Sequence, residues 1–437
     1  MFAYYLKLGV RNLRRNPVLT ALMVLTLAVG VAASMASLTL LYVMSGDPIP
    51  GKSDRLFVPL LDNAPLQQPN PSKDPPDQLT YRDATALKAS GKSPHATSIL
   101  GIGGSVRTGR IGDRPQLIES AAAVNTDFFP MFEVPFDKGG PWSASDDQRG
   151  GNVAVISRKL AAKVFGDVDP VGKTLHFENR DYTVTGVMAK WEPLPKYYRL
   201  IGGNTLAWED IYVPFNNAIA NEMDPQGSVD CNISGDLKPG YQGLMESECV
   251  WVQFWVELKS AADRDGYMQF LDGYVNEQKK LGRFQRPLNN RLHSVMQWLD
   301  KQEVVGDDSR LQTWLAFGFL LVCLVNVIGL LLAKFTARSG EIGVRRALGA
   351  PRREVFKQYL TESGVIGVLG GVLGIALTFG ILALMSAQSE QIAAMARVDG
   401  VMFATALVLS LAASLLAGLL PTWRACQVRP AVQLKSQ

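Results

Sequence analysis

The stretch Arg338-Ser-Gly-Glu-Ile-Gly-Val-Arg-Arg-Ala-Leu-Gly-Ala-Pro-Arg-Arg-Glu354 decides how the chain is read. It lies between two long uncharged apolar runs, residues 311–333 and 363–389. A bilayer crossing takes about 20 apolar residues, so each run is long enough for a membrane helix and the quoted stretch becomes the turn between them. Lys334, Arg338, Arg345, Arg346, Arg352, Arg353 and Lys357 crowd this turn, opposed only by Glu341 and Glu354. Short loops rich in Lys and Arg stay on the cytoplasmic side. Read as a helix, the stretch offers apolar surface at Ile342, Ala347 and Leu348 and charge at Glu341, Arg345 and Arg346; Gly349 and Pro351 then stop it. A short charged helix tied to two membrane helices is well placed to take up force from a soluble partner.

Outward from that turn, the chain divides by composition. Its 437 residues are 47% hydrophobic and 19% charged, too polar to lie wholly in a membrane and too rich in long apolar runs to be soluble throughout. Residues 17–46 form a further apolar run, too long for the core of a signal peptide and followed by no small-x-small cleavage site, so it reads as a retained first membrane helix. Residues 401–423 supply a fourth. The flanks 1–17, 334–357 and 422–437 hold 14 Lys and Arg against two acids, whereas 45–310 holds 29 against 35. That division reports orientation: both termini and the turn are cytoplasmic and 45–310 is extracytoplasmic. It excludes nucleic acid as a partner, which would call for a basic face with interleaved aromatics. Phe2, Tyr5, Leu6, Val10 and Leu13 recur at helical spacing opposite Lys7, Arg11, Arg14 and Arg15, the pattern of a helix lying on membrane lipid.

Between the first two membrane helices, prolines from Pro48 to Pro76 predict an extended, irregular beginning. Strands are expected at 96–102, 116–124, 152–157, 182–188, 211–215 and 251–258, with a short amphipathic helix over 158–165. Residues 261–300 read as helical, with Leu292, Val295, Met296 and Leu299 as an apolar stripe leading rigidly into the second membrane helix. Trp251, Phe254 and Trp255 mark either a packed sheet face or a ligand site, the former favoured. The expected architecture is an α-helical membrane domain of four transmembrane helices plus a large α+β extracytoplasmic domain inserted between helices 1 and 2. The domain limits are 1–46, 47–300 and 301–437.

Few residues suggest chemistry. Gly172-Lys173-Thr174 lacks the glycine a phosphate loop needs five residues before the Gly-Lys pair, where Asp167 stands, and no Walker A sequence occurs anywhere. With only His95, His176 and His293, no nucleophile–base set stands out, and neither a CxxC nor a histidine pair offers a zinc site, so no catalytic, cofactor or metal residues are assigned. Cys323 and Cys426 fall within and just past membrane helices. Cys231 and Cys249 lie in the extracytoplasmic segment, where oxidising conditions would let them pair as a disulfide; spacing alone leaves free thiols open. No charge falls in the middle of a membrane helix, which argues against an ion pathway. In the third helix Gly364, Gly367, Gly370, Gly371 and Gly374 stand near one-turn intervals and favour close helix contact, within one subunit or between two.

The run Glu341-Ile-Gly-Val-Arg-Arg-Ala-Leu-Gly-Ala350 resembles the coupling helix of the MacB/FtsX-like (type VII) ABC transporter permeases. Asn12-Leu-Arg-Arg-Asn-Pro17, the strand–helix–turn–strand cluster of 152–188 and the ending Pro421-Thr-Trp-Arg-Ala-Cys-Gln-Val-Arg-Pro-Ala-Val432 also resemble that family; the likeness is weakest over 48–120 and 190–250. The resemblance implies that Glu341, Ile342, Gly343, Arg345, Arg346, Leu348 and Gly349 dock on a separate ABC ATPase subunit, which would carry ATP and Mg. It implies a second permease, identical or related, as a dimer in the bacterial inner membrane, with outer domains moved by mechanotransmission. It further implies export of a substrate, with a periplasmic adaptor and an outer-membrane duct as possible partners. The alternatives are an FtsX-like signalling permease controlling a cell-wall hydrolase, or a lipoprotein-releasing permease; an enzyme is the least favoured reading.

Overall fold

The computed structural model describes residues 15–66, 74–107, 116–200, 208–231, 238–338, 348–388 and 400–426, together with 11, 340, 341, 343 and 344. The expected lipid-surface helix at the N-terminus and the ending beyond 426 lie outside this set, Arg11 and Arg15 apart. The chain forms two compact units, 46–304 on one hand and 1–45 with 305–437 on the other.

The first membrane helix, α1, spans Pro17–Ser45. The inserted unit then opens with β1 (Leu56–Leu60), α2 (Tyr81–Ala89), β2 (His95–Arg107) and β3 (Gln116–Val124). It continues through α3 (Phe128–Met131), β4 (Phe136–Gly139), α4 (Ala144–Arg149), β5 (Val153–Ser157) and α5 (Arg158–Phe165). Next come β6 (Thr174–Phe177), β7 (Arg180–Met188), β8 (Ile211–Pro214), α6 (Phe215–Ala220) and α7 (Gly240–Glu246). The unit closes with β9 (Gln253–Glu257), α8 (Ala261–Lys280), β10 (Arg291–Ser294) and α9 (Val295–Lys301). Three membrane-length helices complete the chain: α10 (Asp307–Ala337), α11 (Arg352–Gln388) and α12 (Gly400–Cys426).

The strands form one mixed sheet in the order β10-β1-β9-β2-β3-β8-β5-β7-β4, with β6 bridging β2 and β7. β3–β8 and β5–β7 run parallel and the remaining pairs antiparallel. Successive side chains on a strand point to opposite faces, and here both faces are covered. On one side Ala121, Ala123, Ile156, Ile211, Val213, Phe254 and Val256 pack with α2, α5, α6 and α8. On the other, Ala122, Val124, Val155, Tyr212 and Trp255 meet an aromatic layer of Phe128, Phe129, Phe132, Trp142, Tyr197, Tyr198 and Trp298. Burial on both faces makes the strands read as continuous apolar runs. Trp255 and Trp298 donate their ring N–H to the carbonyls of Tyr198 and Tyr197 at 2.9 and 3.1 Å, which satisfies the polar ends of these large side chains. Trp251, Phe254 and Trp255 are therefore core residues of the sheet.

Helix starts follow local chemistry. Thr80, Ser157, Ser260 and Ser294 cap α2, α5, α8 and α9 by accepting an amide hydrogen bond from three residues on. Gly172, at φ +78°, turns the chain between α5 and β6, and its amide donates to the Val184 carbonyl at 2.8 Å; the Gly-Lys-Thr triplet is structural. Two expectations are corrected. The proline-rich beginning contains β1, which is inside the sheet. Pro59 stands where β1 has β10 alone as a neighbour, since β9 pairs only with Leu56 and Phe57, an edge-like position that suits proline. The helix expected over 261–300 ends at Lys280. Leu292 lies in β10, and α9 ends before the extended Gly306 that precedes α10, so no continuous helical stalk leads into the membrane.

In the membrane unit α11 packs along α1 and α12, and α10 along α1 and α12. A Cβ on Gly370 or Gly374 would meet Leu27 or Val31 of α1, and one on Gly367 or Gly371 would meet Ser414 or Ser410 of α12. The glycines of the third membrane helix thus serve contact within one subunit.

Candidate functional site: the turn between α10 and α11

The turn is built from two helix ends. α10 finishes with the Arg338 amide donating to the Phe335 carbonyl at 3.2 Å. Residues 340, 341, 343 and 344 are helical, and the Leu348 amide bonds the Val344 carbonyl at 3.0 Å. Gly349 stands at φ +96°, a conformation that favours glycine, and the Glu354 amide bonded to the Pro351 carbonyl begins α11. Glu341 is exposed and Gly343 buried. Val344 and Leu348 are 52% and 82% exposed, apolar side chains standing clear of the fold. Ile342, Arg345 and Arg346 lie outside the described residues.

Beneath the turn the two helices are clasped. Phe335 and Tyr359 pack edge to face with ring centroids 4.4 Å apart. Lys334 Nζ and Glu362 Oε1 are 2.5 Å apart with both side chains fully buried, and Arg338 reaches to 4.0 Å of the same oxygen. Lys334 thus belongs to the interior of the membrane unit rather than to the exposed charge of the turn. Glu362 carries no motif in the sequence; the only signal was a lone acid directly preceding the apolar run 363–389. Apart from this pair, charged residues of the four spans stand within two turns of a helix end among the described residues.

The inserted unit holds two further features. Cys231 and Cys249 are joined by a disulfide with Cα atoms 4.2 Å apart. An open polar cleft of about 880 Å³ is lined by Gly103, Gly104, Glu178, Arg180, Glu222 and Asp224, among others. Among the described residues no cluster of His, Cys, Asp and Glu suits a metal ion.

Four helices long and apolar enough to cross a membrane, a large α+β insertion after the first, and a clasped turn between the second and third define a multi-pass membrane protein. Residues 20–270 match the MacB-like periplasmic core domain, and 314–430 match the FtsX-like permease C-terminal domain. The chain belongs to the MacB/FtsX-like family of ABC transporter permeases. Among its relatives, the pyoverdine export ATP-binding/permease protein PvdT of Pseudomonas syringae pv. tomato is 26% identical over 84% of this chain and 50% of its own length. The probable export ATP-binding/permease protein MacB of Pseudomonas entomophila is 27% identical over 81% of this chain and 47% of its own. The chain therefore spans about half the length of the curated relatives it matches. The crystal structure of the periplasmic region of MacB from Actinobacillus actinomycetemcomitans aligns with 59% of this chain and 96% of that one, at 13% identity and a TM-score of 0.37.

Proposed function

We propose that the chain is the permease part of an ATP-driven MacB-like transporter of the bacterial inner membrane, with both termini cytoplasmic. ATP, with Mg, is hydrolysed on an ABC ATPase whose nucleotide site lies outside these 437 residues. The turn at 340–349 receives the ATPase stroke and passes it through α10 and α11 to the inserted domain, which acts on a substrate for export. The single observation that carries this reading is the exposed Leu348 and Val344 in the turn between two membrane helices joined by a buried ion pair. Apolar side chains in that setting suit the groove of a soluble partner, and the basic residues around them suit its rim. Beyond the paired Lys334 and Glu362, the helix interiors carry no charge among the described residues, which supports transmission of force rather than conduction of ions. Two such permeases, identical or related, would face a pair of ATPases, and an adaptor and outer-membrane duct would complete the export route. The match to the MacB-like core over 20–270 favours export over an FtsX-like signalling role or lipoprotein release.

The test is Glu341→Lys combined with Arg345→Glu. The double variant should insert and assemble like wild type yet lose about tenfold or more of ATPase association or stimulated turnover, as expected when charge complementarity at a docking rim is reversed. A matched charge reversal at two exposed sites of the inserted domain is the control. Wild-type stimulation by the double variant would reduce the turn to a topology anchor.

A further inference from the structure

Lys334 lies in the last turn of α10, whereas Glu362 lies ten residues into α11, about 15 Å along its axis at the helical rise. Both are fully buried, and their 2.5 Å contact joins the two helices well inside the turn. Arg338, one helical turn beyond Lys334 on the same face of α10, comes within 4.0 Å of the same carboxylate oxygen. Lys334 Nζ and both oxygens of Glu362 are buried, and among the described residues none of them makes a hydrogen bond of full geometry. Folding alone does not account for this arrangement. Replacing a buried ion pair by apolar side chains is often neutral or stabilising, yet removing one partner is strongly unfavourable because a charge is left without compensation. Such a pair contributes little to net stability and resists being pulled apart. What it does fix is register.

We propose that Glu362, paired with Lys334 and backed by Arg338, is the positioning group that makes α10 and α11 move as one body when the turn between them is pushed. Without it, thrust on residues 340–349 would splay the helix ends and be lost in the turn. The inference rests on the coupling role proposed for that turn. The Phe335–Tyr359 contact packs the same two helix ends, but an apolar contact can slide, whereas a buried carboxylate is confined to positions where a cation meets it.

The full chain in lipid nanodiscs tests this with three variants. Glu362→Gln strands Lys334; Lys334→Met with Glu362→Met removes both charges and retains bulk; Lys334→Glu with Glu362→Lys exchanges them. Nitroxides on cysteines placed at the exposed positions Thr336 and Lys357 read the spacing of the helix ends. Wild type and the exchange variant should give one narrow distance, and the Gln and Met variants a broadened distribution. The second readout is turnover of the ABC ATPase that co-purifies with the chain. The Met pair should bind it like wild type but lose about tenfold of the stimulation, within the range usual for coupling between sites, and the exchange variant should recover most of it. A Met pair with wild-type distances and turnover overturns the proposal, as does an exchange variant that behaves like the Met pair. If wild type stimulates no ATPase, the coupling role of the turn fails and the distances alone decide. Broadening in the Met pair, reversed by exchange, then upholds the lock, and uniform distances end it.

Discussion

Glu209 is a buried carboxylate of the inserted unit with four hydrogen-bond partners. Its carboxylate is fully buried and accepts from Lys196 Nζ at 2.7 Å, Arg199 Nε at 2.9 Å, and the hydroxyls of Tyr198 and Tyr212 at 2.6 and 3.2 Å. Burial alone would raise its pKa, but the charges of Lys196 and Arg199 and these hydrogen bonds overcome that and hold it down to about 2. The unfolded carboxyl titrates near the ordinary value of 4.5. A folded pKa below the unfolded one contributes stability that is fully present above the unfolded value and is lost as pH falls toward the folded one. The expected window is therefore between about pH 4.5 and about pH 2. Glu209→Gln leaves Lys196 and Arg199 facing a neutral amide and should cost roughly 3 kcal/mol at neutral pH, the scale for breaking a buried pair. It should also flatten the acid dependence in that window. Unfolding of the full chain followed by tryptophan fluorescence checks both, with Trp191, Trp208 and Trp255 in or near the packed segment; an unchanged midpoint would remove Glu209 from the stability of the unit.

At the scale of elements, α11 organises the membrane unit. Its glycines fall on two adjacent stripes, Gly370 and Gly374 toward α1, Gly367 and Gly371 toward α12. The close approach lets the Ser410 hydroxyl of α12 donate to the Gly367 carbonyl at 2.8 Å. In lipid no hydrophobic gain drives helices together, so such packing and hydrogen bonding carry the association. A Cβ on Gly370 would stand 2.8 Å from Leu27 Cδ2, and one on Gly380 would meet nothing within 4 Å. Gly370→Leu should therefore lower the stability of the membrane unit by about 1–3 kcal/mol through overpacking, while Gly380→Leu should be close to neutral. Thermal unfolding of both in the same detergent makes the comparison, and equal midpoints would show that these glycines do not set helix spacing.

For the whole molecule, orientation is the property on which the proposed function depends. The proposal puts 45–310 outside the cell membrane and the turn inside. An impermeant thiol reagent added to intact cells stripped of their outer membrane should label Ser228→Cys and spare Leu348→Cys, two exposed positions in the two units. In inverted vesicles the pattern should reverse. Labelling of Leu348→Cys from outside would overturn the orientation and with it the docking of a cytoplasmic ATPase.

The sequence by itself determined the membrane helices, the insertion between the first two, and the family. Each of these depends on neighbours along the chain: a bilayer demands an apolar run of fixed length in which every backbone group is satisfied internally. The tertiary structure decided what depends on partners distant in sequence. β1 is a strand because Leu56 finds Glu257 and Leu60 finds Arg291, which no proline-rich local pattern foretells. Strands of four residues such as β4, β6 and β10 are too short to show a period. The glycines of α11 fit contacts within or between subunits equally well until Leu27 and Ser414 are seen opposite them. Lys334 and Glu362 read as a loop charge and a helix-flanking acid until the fold closes on both, because burial is a property of the packed helices and not of either residue.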